Sequence, residues 1–84
     1  MPDQIGNMSL SADQLKLAEY GLIIEISDSP LKINLLEMGF LPGKKIMLSH
    51  AAPANGPLAF QIDGSTLALR KSEAALIQIE STQS

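Results

Sequence analysis

The chain has 84 residues, 45% of them apolar, and nine acidic against six basic residues leave a net charge of −3 at pH 7. That size makes one small domain, and the acidic balance speaks against a phosphate-binding surface and so against a nucleic-acid partner. There is no cysteine, which removes disulfides, thiolate metal ligands and cysteine nucleophiles.

Met1 to Asp13 has neither the basic start nor the apolar run of a secretory leader. No segment approaches the ~20 apolar residues of a membrane helix, so the expectation is a soluble domain with no direct membrane insertion. Residues 1–10 read as a flexible arm, 11–80 as the folded domain and 81–84 as a frayed tail.

Ser11-Ala12-Asp13-Gln14 has the form of a capping box and predicts a short N-terminal helix through Tyr20, with Gly21 as its stop. Leu22 to Ser27 then reads as a strand with Leu22, Ile24 and Ile26 on the inner face. Asp28-Ser29-Pro30 predicts a helix start, with Ser29 as the cap and Pro30 at the first helical position. Leu31, Leu35 and Met38 fall on one side of that helix, and Gly39 is the expected left-handed residue after it.

Leu41-Pro42-Gly43 predicts a turn. Lys44 to Ala51 reads as a second strand with Ile46, Leu48 and His50 on one parity, so that His50 is expected to be partly buried. Pro53, Gly56 and Pro57 shape the following loop. Leu58, Phe60 and Ile62 alternate with Ala59, Gln61 and Asp63, and Asp63-Gly64 supplies the positive-φ pair of a two-residue hairpin turn. Leu67 and Leu69 continue the alternation, Ser72 to Ala75 makes one helical turn, and Leu76 to Glu80 is a last strand.

The sum is a mainly β domain of five strands with one inserted helix and a short N-terminal helix. Five strands in so short a chain close most economically as a small barrel, which also removes exposed edges.

Catalytic chemistry has little to stand on. His50 is the one histidine, no strained Gly-x-Ser-x-Gly elbow exists for a serine, and Gly39 to Gly43 lacks the Gly-Lys-Ser/Thr ending of a phosphate loop. No catalytic residue and no cofactor site is assigned. One imidazole without a thiol makes His50 a weak metal ligand, so Fe(II) or another divalent ion is at most weakly held. Met38, Phe40 and Leu41 form an apolar run at the helix exit and are the candidate partner-binding residues. Arg70 is expected to pair with Glu73 where the last hairpin strand meets the helical turn.

Three segments fall in a recognisable order: Leu35-Leu36-Glu37-Met38-Gly39-Phe40-Leu41-Pro42-Gly43, then Ala52-Pro53-Ala54-Asn55-Gly56-Pro57, then Gly64 through Leu67-Ala68-Leu69-Arg70 to Glu73-Ala74. Their order and spacing, over about residues 15–80, resemble the bacterial ferrous-iron-transport accessory family FeoA. Asn34 and the Asn55-Gly56-Pro57 turn depart from that pattern. The resemblance implies an SH3-like barrel, similar also to the C-terminal module of iron-dependent repressors. It implies a cytoplasmic, non-enzymatic protein, peripheral at the inner membrane through its partner, the membrane Fe(II) transporter GTPase FeoB, which it would dock on and modulate. A free-standing transition-metal-binding or sensing module is the alternative it leaves open, and the apolar strand edges of a small barrel also allow a homo-oligomer.

Overall fold

The structure, a computed structural model, describes residues 9–82. Six strands form one antiparallel sheet: β1 (Ser9–Ser11), β2 (Tyr20–Ile26), β3 (Lys45–Ala51), β4 (Leu58–Ile62), β5 (Ser65–Leu69) and β6 (Ile77–Thr82), in the spatial order β1-β6-β2-β3-β4-β5. Two short helices interrupt it, α1 (Lys32–Met38) between β2 and β3 and α2 (Lys71–Ala74) between β5 and β6. The mainly β class is as expected, with one strand more than the sequence indicated, because Ser9–Ser11 adds to the outer side of β6. The sheet stays open between β1 and β5. Its two ends are bridged by α2, which touches both β5 and the turn after β1, so two strand edges remain.

The N-terminal helix does not form. Ser11 opens a single 3₁₀ turn, Ala12–Gln14, and the chain is extended again at Leu15. Part of the expected cap is present: the Ser11 amide donates to Gln14 Oε1 at 2.9 Å. A second turn follows instead, in which Lys16 N donates to Glu19 Oε1 at 2.8 Å and Glu19 N to the Lys16 carbonyl at 2.9 Å. An isolated helix of under ten residues cannot repay its nucleation cost, whereas Tyr20 and Gly21 gain ladder partners on both sides by joining β2.

Gly21 therefore stops no helix. It sits inside β2 opposite Ile46 and Ser81, where a side chain would collide with Ile79.

The core is the alternating set that the pleat selects: Ile46 and Leu48 from β3, Leu58, Phe60 and Ile62 from β4, Leu69 from β5, Ile77 and Ile79 from β6. Leu35 enters it from α1, and Phe40 and Phe60 meet edge to face with centroids 6.4 Å apart. Asp63 and Gly64 both have positive φ, 51° and 80°, and close the β4–β5 hairpin as read from the sequence.

Two bulges overturn two expected inner faces. In β2 the register with β6 slips between Ile23 and Glu25, so Ile24 becomes the extra residue, Ile23 and Ile26 point inward, and Ile24 is exposed. In β3 the register with β4 slips between Leu48 and His50, which turns His50 out to solvent rather than into the core. Each inserted residue reverses the parity for everything beyond it.

α1 starts two residues later than the sequence indicated: its cap residue is Leu31, not Ser29, and Pro30 lies in the turn before it rather than at the first helical position. Ser29 Oγ accepts from the Leu31 amide at 2.9 Å and its carbonyl from the Lys32 amide at 3.1 Å. It ends in a Schellman motif, with Phe40 N bonded to the Leu35 carbonyl at 3.1 Å and Gly39 N to the Leu36 carbonyl at 3.0 Å. Gly39 reaches φ 114° there, a value a side chain would oppose. Gly39→Ala is expected to cost about 1–2 kcal/mol, read as a lower denaturation midpoint by urea titration; an unchanged midpoint would contradict it.

Candidate docking surface

The helix places apolar side chains on both sides of its wall. Leu35 is buried and Leu36 half-buried, but Leu31, Ile33 and Met38 remain exposed, Ile33 at 61%. α1 is only seven residues long and contacts the sheet mainly through β2, so its inward stripe is one side chain wide. The expected stripe of Leu31, Leu35 and Met38 thus narrows to Leu35, flanked by Leu36. Leu31 and Met38, seven residues apart, share one flank of the helix. Ile33 lies on the opposite flank, about 160° around the axis from Leu35.

Past Gly39 the exposed surface continues. Leu41 is 41% exposed, and its carbonyl accepts from the Lys44 amide at 3.0 Å. Gly43 N reaches the Ile23 carbonyl at 2.8 Å, which seats the Leu41 turn beside Ile24 on β2. The segments that carry the exposed Ile24, Met38 and Leu41 thus meet at one corner of the fold, with Leu31, the cap residue of α1, at the far end of the helix. Phe40 is the exception among the candidate residues. It is fully buried against Phe60, so it supports the corner from within and is corrected from a contact residue to a core residue. Its direction is set by Gly39, whose left-handed turn throws the next side chain back under the helix.

Charged groups stand on the same and adjoining segments: Glu25, Glu37, the Lys32–Asp28 pair at 3.3 Å and the Lys44–Asp63 pair at 2.8 Å. All are at or near the surface, where such pairs contribute little to stability. A further exposed apolar residue, Leu17, lies in the Lys16–Glu19 turn at 63% exposure. That turn is pinned by Ala18 N to the Leu48 carbonyl at 2.7 Å and by Ser81 Oγ to Glu19 Oε2 at 2.9 Å. The Lys16 amide and then the Ser81 hydroxyl donate to the Glu19 carboxylate and hold its pKa below the usual glutamate value.

Arg70 and Glu73 are joined otherwise than expected. Glu73 Oε1 accepts from the Arg70 main-chain amide at 2.8 Å, capping α2, so the contact depends on Glu73 and not on the guanidinium. The other motif residues serve loops. Pro42-Gly43 turns the chain into β3 with φ 92° at Gly43, and Gly56 N bonds the Pro53 carbonyl at 3.1 Å within the Pro53–Pro57 loop. Among the described residues no three His, Cys, Asp or Glu side chains cluster as metal ligands, no surface pocket opens, and no helix is long and apolar enough to cross a membrane.

Sequence reasoning missed Ile24, Leu31 and Ile33 as surface residues. Only Ile33 carried a signal, its angular distance from Leu35; the exposure of Ile24 follows from a bulge that nothing in Leu22–Ile26 marks.

The FeoA domain matches this chain over residues 8–81. The chain belongs to the FeoA family. A curated relative, the Fe(2+) transport protein A/Fe(2+) transporter FeoB fusion protein of Porphyromonas gingivalis, is 38% identical over 47 residues, which are 56% of this chain and 6% of that protein. The chain thus spans a small fraction of that relative's length. Among solved structures, the FeoA-like protein of Clostridium acetobutylicum has a TM-score of 0.84 at 27% identity and covers 90% of each chain. The zinc complex of Stenotrophomonas maltophilia FeoA, described as a prokaryotic SH3 domain protein, has a TM-score of 0.75 at 24% identity, over 83% of this chain and 88% of that one. A manganese-dependent transcriptional repressor shares the fold at a TM-score of 0.80 and 17% identity, over 90% of this chain and 43% of that one. The FeoA fold here is therefore SH3-like, and it recurs inside a repressor, as the family resemblance implied.

Proposed function

We propose that this FeoA protein is a non-enzymatic accessory of ferrous-iron uptake that docks on the cytoplasmic part of the membrane transporter FeoB and modulates it. The observation that carries this reading is the fusion relative, whose single chain joins an Fe(2+) transport protein A to an FeoB transporter. A covalent link holds two modules at high effective concentration, which benefits a pair that work in contact. The exposure of Ile24, Met38 and Leu41 on this chain supports the same reading, since apolar side chains left in water beside charged neighbours are what a protein interface covers. Docking changes the transporter only through unequal affinity for its conformations; equal affinity would shift nothing.

Titration of FeoB's cytoplasmic GTPase region with this protein tests the reading. The double variant Met38→Asp/Leu41→Asp is expected to bind at least about tenfold more weakly, since a buried interfacial contact is worth more than about 1 kcal/mol. Its denaturation midpoint stays within about 0.5 kcal/mol per site of the parent, because both side chains already face solvent. Binding that survives both substitutions would move the interface elsewhere. Absence of binding by the parent protein, together with Fe²⁺ uptake that is lost in His50→Ala, would replace docking by the metal-binding alternative.

A further inference from the structure

β5 is the long open edge of the sheet. Among the described residues it pairs with β4 alone. Ile62 and Ser65 flank the two-residue turn and face each other across the ladder. By the alternation of an antiparallel pair, Leu67 and Leu69 also spend their main-chain groups on β4. The amides and carbonyls of Thr66 and Ala68 point the other way, out from the sheet.

Edges of this kind are commonly guarded by a charge, a proline or a bulge. Ser65–Leu69 contains none of these, and its register with β4 runs without a shift. Beyond it the edge closes: the Arg70 amide is bonded to Glu73 Oε1, and the Arg70 carbonyl accepts from the amides of Glu73 and Ala74, both at 2.9 Å.

What could add to this edge is limited by the other end of the sheet. The outer side of β6 is already occupied by β1, which is three residues long. Among the described residues, a head-to-tail array of copies would have only that short strand to pair on. Pairing β5 with β5 of a second copy offers five residues on each side. An antiparallel register centred on Leu67 sets Thr66 opposite Ala68 of the second copy, and Ala68 opposite its Thr66, with about four main-chain hydrogen bonds. The same register brings the Asp63 end of one strand to the Lys71 end of the other, twice. At each end Lys71 of one copy therefore approaches Asp63 of the other, a carboxylate that it would share with Lys44 of that copy, although the chain as a whole is negative.

We propose that this FeoA protein associates with a second copy of itself by antiparallel pairing of the β5 edges about a two-fold axis through Leu67. The contact joins one strand per copy and displays the small side chains of Thr66 and Ala68, so it belongs to the weak, transient class of interfaces. It goes beyond the docking reading and does not depend on it, since β3 and β4 separate β5 from β2.

Analytical ultracentrifugation across a concentration series, with amide hydrogen exchange on the same samples, tests this. The mean mass is expected to climb from monomer toward twice that value as concentration rises, while exchange of the Thr66 and Ala68 amides slows several-fold. Ala68→Pro removes an outward donor without touching the β4 ladder and should hold the protein monomeric at every concentration. Lys71→Glu sets two carboxylates against each other at each end and should weaken association, while an acidic residue in the first turn suits α2. If Ala68→Pro does not fold, Lys71→Glu decides alone. A monomer throughout the series, or association unchanged in these variants because another surface or strand edge is used, overturns the proposal.

Discussion

Phe40→Ala is expected to destabilise the domain by about 3–5 kcal/mol, the range for removing a large aromatic side chain from a packed core. Phe40 has no exposed surface, and its ring meets that of Phe60 at 87° with centroids 6.4 Å apart. Truncation would lose the transfer free energy of the ring, leave a cavity beneath α1 and remove the edge-to-face contact, which adds roughly 0.5–1.5 kcal/mol to area burial. A domain of this size has only about 5–15 kcal/mol in total, so the variant should be near or beyond its folding limit at ambient temperature. Urea denaturation followed by circular dichroism measures the effect, with Met38→Ala as the matched control two residues earlier. Met38 is 41% exposed and should cost about 0.5 kcal/mol or less. Equal losses at the two positions would mean that the chain does not turn inward at Gly39.

Gly21→Val carries the second large effect, about 1–3 kcal/mol of destabilisation from overpacking. A Cβ at this position would stand 2.7 Å from Ile79 Cδ1 and 3.4 Å from Leu15 Cδ2. The terminal methyl of an isoleucine can ordinarily swing aside, but Ile79 has no exposed surface and Leu15 is nearly as enclosed. Backbone withdrawal is also blocked, because β2 is held by β3 on one side and β6 on the other. Valine is a better strand former than glycine, so local propensity alone predicts stabilisation. The sign of the change therefore separates the two causes. A midpoint that rises in Gly21→Val would show that the Ile79–Leu15 contact yields easily; a fall, with Gly21→Ala intermediate, would show close packing at that strand crossing.

Much of the fold was legible where a feature is local in sequence. The β4–β5 hairpin follows from strict alternation plus Asp63-Gly64, and the end of α1 follows from Gly39, because each rests on a backbone conformation that few residues can adopt. Where a reading extended a local pattern across several residues it failed at identifiable points. The capping signal at Ser11 is genuine but supports only three residues of 3₁₀ turn. Ile24 and His50 sit on the apolar parity of their strands, yet each lies just where an extra residue is inserted into the ladder. A bulge is fixed by what the neighbouring strand requires, and that neighbour is more than 50 residues away for Ile24, on β6.

The candidate surface divides in the same way. That an apolar run leaves the helix at Met38 to Leu41 is written in the chain, and so is the left-handed residue in its middle. Which members of the run face water is not, since Phe40 is drawn inward by a partner ring on β4 while Leu41 stays out. The sequence by itself determined the β class, the hairpin, the glycine-ended exit of the inserted helix and the family pattern, because steric limits on glycine and alternating side chains act over a few residues. Only the tertiary structure decided the sixth strand, the open β5 edge, the two bulges and the exposed corner at Ile24, Met38 and Leu41. Those depend on pairing and burial between segments far apart in the chain, where each residue's face is settled by the shape of its neighbour and not by its own identity.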